Sequence, residues 1–202
     1  MFALVQDNAF VRIVNSSKGI TIGDNQYPKT IFSLWTNAER EAIGIYEVVM
    51  DATNQKDEAY YINTNVSYAY SSGTVTGSYG TATAKPLDDI LFVDGDEIPS
   101  DKAVGDIKSY GLKGLEIKKI KAQASGLLAP TDWHIVKATE VADYTVPSNV
   151  TTYRANVRAK SNEMETQINA CSDVDALKTL FTWTEDSEGN ITRPLAEFPE
   201  EL

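Results

Sequence analysis

The chain has 202 residues, 29 acidic against 18 basic, and a net charge of −11 at neutral pH. That length supports one sizeable core or two small ones, and the charge repels nucleic-acid phosphates and anionic membrane surfaces. The hydrophobic fraction of 42% belongs to a folding chain, and the lone Cys171 excludes an internal disulfide and a zinc site built on thiolates.

The opening apolar run Met1–Val5 meets Gln6-Asp7-Asn8 at once, too soon for a signal peptide. No stretch is long and apolar enough to span a bilayer, because Gly44 and Glu47 interrupt the best candidate. Membrane insertion is therefore not expected. The apolar residues flanking Asp7-Asn8, from Phe2 to Val14, predict a β-hairpin. A short strand over Ile20–Ile22 follows and ends at Gly23-Asp24-Asn25. Thr36 and Glu39 have capping-box spacing, so a short helix is predicted over 37–43, with Gly44 ending it.

Ile45–Met50 reads as a strand, and a second hairpin is predicted where Val66, Tyr68 and Tyr70 alternate before Ser71-Ser72-Gly73 and Thr74-Val75-Thr76. Tyr68 and Tyr70, with Tyr60, Tyr61 and Tyr79, either form an exposed aromatic surface for sugar or protein, or are half-buried strand positions. The aspartates Asp88, Asp89, Asp94 and Asp96 lack the EF-hand spacing and read as an acidic turn. Composition shifts here, which divides the chain into a β-rich docking or attachment domain over 1–95 and a mainly helical domain over 96–202.

A helix is predicted from Ala103 to Leu128 on the recurrence of Ile107, Tyr110, Leu115, Ile117 and Ile120. Gly111 and Gly114 within it suit close approach of another backbone or a kink. Lys113, Lys118, Lys119 and Lys121 read as its solvated face. Pro130 stops it, and Thr131-Asp132 is positioned to cap a short turn through Trp133. Ser148 is the expected N-cap of a long amphipathic helix burying Val150, Tyr153, Val157, Met164 and Ile168, with Arg154 and Arg158 on its other faces. A further helix capped by Ser172 buries Val174, Leu177 and Leu180, and a terminal hairpin turns at 186–190. The tail from Pro194 is expected to be loosely held. The expected fold class is α+β: a β-rich N-terminal half with hairpins, and a helical C-terminal half with an αα-hairpin and a small terminal β-hairpin.

Chemistry is hard to find. His134 is the only histidine, and no Gly-x-Ser-x-Gly elbow, phosphate-binding loop or dinucleotide fingerprint occurs. No catalytic, cofactor or metal residues are assigned, and a non-enzymatic role is expected.

The order of motifs carries more. Leu127-Leu128-Ala129-Pro130-Thr131-Asp132-Trp133, then Pro147, then Tyr153-Arg154-x-x-Val157-Arg158, resembles the C-terminal module of bacteriophage tail-fibre assembly proteins and related virion proteins. The match covers about residues 107–170. Physically, Thr131 and Asp132 cap the turn while Trp133 and Tyr153 anchor two helices against each other. What the resemblance implies is attachment to a tail-fibre or other tail protein, as an assembly chaperone of a trimeric fibre or as a permanent structural or adhesive virion component. A homo-oligomer is compatible with either role. The implied location is the host bacterial cytoplasm during assembly, or the virion tail.

Overall fold

The computed structural model describes all 202 residues and separates them into two compact units, Met1–Thr83 and Ala84–Leu202. The fold is α+β, with strands concentrated in the N-terminal half, helices in the C-terminal half and a small hairpin near the end. No helix is long and apolar enough to cross a membrane.

In the first unit, β1 (Phe2–Gln6) and β2 (Ala9–Val14) form the predicted hairpin. Asp7 and Asn8 both take positive φ, 51° and 59°, as a two-residue turn matched to strand twist demands. The small hairpin of β3 (Ile20–Ile22) and β4 (Asn25–Tyr27) comes next, then α1 (Ile31–Leu34) and α2 (Asn37–Glu41). The capping box forms: the Thr36 hydroxyl accepts from the Glu39 N–H at 3.3 Å, and the Glu39 carboxylate accepts from the Thr36 N–H at 2.7 Å. Gly44, at φ 81°, lets the chain reverse within hydrogen-bond reach of Val5, whose N–H donates to the Gly44 carbonyl at 2.8 Å.

The strand β5 (Ile45–Asp51) pairs antiparallel with β1, and β7 (Ser67–Ser71) with β8 (Thr74–Ser78) makes the second predicted hairpin. β5 pairs parallel with β8, which yields a sheet ordered β2-β1-β5-β8-β7. The sheet curls until its outer strands β2 and β7 approach each other, with the Phe10 ring stacked on Tyr68 at 5.1 Å. Strand alternation sends Ala3, Val5, Val48 and Val75 into the curl, and Leu4, Val14 and Ile45 to a second cluster completed by Ile20 and Ile31. Two minor strands, β6 (Tyr61–Ile62) and β9 (Thr83–Ala84), pair where this unit ends.

The division between units falls at 83/84, ahead of the boundary expected after residue 95. The segment after Ala84 is built into the start of the first long helix, which is why it belongs to the second unit. That helix, α3 (Leu112–Leu128), begins later than the predicted Ala103. Residues 107–109 form β11 instead, paired with β10 (Ile90–Leu91), because Gly111 breaks the period and accepts close backbone contact. A Cβ on Gly111 would lie 2.3 Å from the Asp88 carbonyl oxygen, and one on Gly114 2.1 Å from an Asp89 carboxylate oxygen. The N–H groups of Leu112 and Lys113 donate to the carbonyls of Pro86 and Leu87, and that of Gly111 to the Asp89 carboxylate. The glycines thus admit the chain's own 86–89 segment, which satisfies donors that the helix cannot.

A 3-10 turn over Ala129–Thr131 leads into α4 (Asp132–Glu140), then α5 (Ser148–Asn169) and α6 (Val174–Phe181). α3 and α5 pack antiparallel, since Leu128 meets Arg154 and Lys121 meets Glu165 further back. Ala124, Tyr153 and Val157 form the core of that seam. Pro147, not Ser148, occupies the N-cap of α5, and Asp173, not Ser172, caps α6 by accepting from the Ala176 N–H at 2.8 Å. The terminal hairpin is β12 (Thr184–Glu185) with β13 (Ile191–Thr192).

The tail is not loose. Leu195 is buried, Phe198 packs on the α3–α5 seam, and the Gln167 side chain donates to the Pro194 carbonyl and accepts from the Ala196 N–H. Leu195 and Phe198, three residues apart, are the signal for this docking.

Candidate functional site

The residues singled out around positions 131 and 153 meet at one end of the α3–α5 seam. Arg154 is only 8% exposed, which overturns its expected place on a solvent-facing side of α5. Its Nη1 donates to the Leu128 carbonyl at 3.0 Å and to the Thr131 hydroxyl at 2.6 Å, and it pairs with Asp132 at 2.8 Å. A buried guanidinium needs such a set of acceptors, because an unpaired charge there is costly. The carbonyl of Leu128 is freed by the helix ending before Pro130, so the turn supplies what the arginine requires.

Thr131 and Asp132 do not cap in the expected way. The Thr131 hydroxyl donates back to the Leu128 carbonyl at 2.7 Å and makes no cap bond to α4, while Asp132 turns to Arg154. Both residues stabilise the corner by serving the arginine. Tyr153 is the expected buried anchor, packed on Ala124, Leu127 and Leu128 with its hydroxyl 3.5 Å from the Leu127 carbonyl.

Trp133 departs from expectation: it is 53% exposed and anchors nothing between two helices. Its ring stacks on His134 with centroids 3.7 Å apart, and Tyr144 lies at 6.3 Å. The Lys137 ammonium sits 5.8 Å from the Trp133 centroid and 4.5 Å from that of Tyr144, within cation–π range. His134 Nδ1 and the Tyr144 hydroxyl share a short hydrogen bond that ties the 141–147 connection to α4. Trp133 stays outside with the rest of α4, which buries none of its residues. Lys137 and Tyr144 escaped the sequence reading, because a lysine and a tyrosine spaced around a turn leave no periodic signal.

Beside this aromatic group is a cleft of about 350 Å³ lined by Leu127, Pro130, His134, Val150, Tyr153 and Leu202. Its walls mix these side chains with the polar Thr131, Asn149 and Glu201, and His134 supplies the one imidazole.

In the first unit, Tyr68 and Tyr70 are half-buried strand residues. Tyr70 meets Tyr46 edge-on at 4.9 Å with hydroxyls 3.2 Å apart, a bond that raises the Tyr46 pKa, and Tyr68 lies on Phe10. Gly77 gives Tyr68 its space, since a Cβ there would stand 2.9 Å from the ring and 2.7 Å from the Met50 sulfur.

The lysines of α3 are each engaged: Lys113 with Asp88, Lys119 with Glu116, Lys121 with Glu165, and Lys118 over the Tyr110 ring. No group of three or more His, Cys, Asp or Glu side chains is placed to share a metal ion. Burial pushes the Cys171 thiol pKa up, and its sulfur donates to the Gln167 carbonyl. Comparison of the chain with protein-family models, curated proteins and solved structures found no match.

Proposed function

We propose that the chain is a non-enzymatic bacteriophage tail-fibre-associated protein that serves fibre assembly or attachment. The observation that carries the reading is the convergence of the Leu127–Trp133 turn and the Tyr153-Arg154 helix on one corner, where Arg154 locks the turn and Trp133 is left outside. A buried clamp that holds an exposed tryptophan in place suits recognition of another protein, since tryptophan is favoured among residues that dominate binding energy. The partner in this reading is a tail-fibre or other tail protein, met in the host bacterial cytoplasm during assembly.

Co-expression with the fibre protein is the test. Soluble, trimeric fibre rises when the chain is present, and Trp133→Ala removes the gain without unfolding the chain; no gain from the wild type overturns the proposal. The alternative of a permanent adhesive component would need an exposed surface such as the tyrosine-rich β segment, and the packed rings of Tyr68 and Tyr70 lend that surface no support. Mass spectrometry of purified particles decides retention, because a permanent component contributes peptides at fixed copy number.

A further inference from the structure

The β10–β11 ribbon carries its apolar residues on the wrong side for a free-standing hairpin. Its ladder continues past β10, with the Phe92 N–H donating to the Asp106 carbonyl and the Gly105 N–H to the Phe92 carbonyl, both at 2.9 Å. Alternation then sets Phe92 on one face and Leu91 and Val93 on the other, with Val104 next to Gly105 on the facing arm. Phe92 is buried, with Ile90 on its face 46% exposed at the strand's start, whereas on the other face Leu91 is 45% exposed and Val93 and Val104 are each 59% exposed. A ribbon with one face in water should show polar residues there. This one shows aliphatic side chains instead.

The surrounding carboxylates fall into two groups. Asp96 accepts from the Val93 N–H and pairs with Lys108, Asp106 accepts from the Ala103 N–H, Asp89 holds Gly111, and Asp88 pairs with Lys113. Those four build the fold. Asp94, Glu97 and Asp101 are exposed and stand in no hydrogen bond or ion pair. Three uncommitted negative charges therefore share the exposed 90–106 segment with the aliphatic residues, and the only cation of that segment, Lys102, pairs with none of them.

We infer that the outer face of this ribbon is a docking surface for a different protein chain whose contact segment is basic and aliphatic. Charge decides the occupant. A second copy brought face to face would set Asp94, Glu97 and Asp101 against their equivalents, and like charges in contact disfavour that pairing. A basic, aliphatic segment covers Leu91, Val93 and Val104 and neutralises those charges at the same time. The inference does not depend on the tail-fibre reading.

The test uses the full chain and a synthetic peptide of alternating leucine and lysine, with a leucine–glutamate peptide as control. Titration followed by backbone amide NMR shifts shows saturable perturbation confined to residues 90–106 with the basic peptide and none with the acidic one. Val93→Ser with Val104→Ser weakens binding about tenfold, and Asp94→Asn with Glu97→Gln and Asp101→Asn does so while flattening the salt dependence. Neutralising Glu188, Glu200 and Glu201 leaves affinity unchanged. Perturbations spread over the whole acidic surface, equal binding by both ribbon variants, or concentration-dependent self-association abolished by Val93→Ser would each overturn the inference.

Discussion

Arg154 and Trp133 show how two residues of one short motif divide structural and surface roles. Removing the arginine leaves the Leu128 carbonyl and the Thr131 hydroxyl bonded only to each other, each short of one donor in a buried corner. Arg154→Ala should therefore lower unfolding free energy by about 2–3 kcal/mol, measured by denaturant melts. Asp132 is a different case, since its side chain is 60% exposed and water replaces the lost partner; Asp132→Asn should cost under about 1 kcal/mol. Trp133→Ala should likewise leave the melt within about 1 kcal/mol. Gly77 is bounded by the Met50 sulfur and the Tyr68 ring, so Gly77→Ala overpacks the curl, with an expected loss of about 1–3 kcal/mol in the same melts. The importance of Tyr153 was readable from the helical period, but the burial of Arg154 was not. A charged residue beside an apolar stripe looks solvent-facing until its acceptors, here contributed by a turn more than twenty positions earlier, are in place.

At the scale of elements, local chemistry was legible and long-range pairing was not. The β1–β2 and β7–β8 hairpins of the first unit follow from their turn residues, Asp7-Asn8 and Ser72-Gly73, which take the positive φ values such turns need. Asn8→Val should cost about 1–2 kcal/mol, because a β-branched side chain at φ 59° clashes with its own backbone; thermal or chemical melts compared with Asn8→Gly isolate that effect. The parallel pairing of β5 with β8 left no trace, since nothing in either strand's composition names its neighbour. The helix predicted from Ala103 failed for a related reason. Ile107 and Tyr110 happen to fit a helical period, while the contact that excludes the helix, Asp88 against Gly111, joins residues far apart in the chain. The corner residues of the candidate site were found in order along the sequence, whereas Lys137 and Tyr144, brought to Trp133 by a turn, were not.

For the whole molecule, acid is the sensitive variable. Glu39, Asp51, Asp96, Asp173 and Asp186 all have lowered pKa values, because the Thr36 N–H, the Thr53 hydroxyl, Lys108, the Ala176 N–H and the Asn190 amide respectively stabilise their charged forms. A carboxylate with a depressed folded pKa adds stability that is present above its unfolded value, near 4, and is lost as pH falls through the folded value. The melting temperature should thus hold from neutral pH to about 5 and then decline below about 4, in buffer with enough salt to screen the net charge. Asp96→Asn combined with Asp186→Asn should shallow that decline. An unchanged slope would mean these hydrogen bonds persist or are replaced in the unfolded chain.

The approach of β2 to β7 has a consequence for solubility in a crowded cell. Outer strands normally offer unpaired amides as templates for neighbouring molecules, but here Phe10 and Tyr68 clasp the two margins together and leave little room for an incoming strand. Loosening that clasp, as by Phe10→Ala, would release both margins at once. The expected result is time-dependent fibrillar or amorphous deposition, followed by light scattering and thioflavin fluorescence, at temperatures well below the unfolding transition.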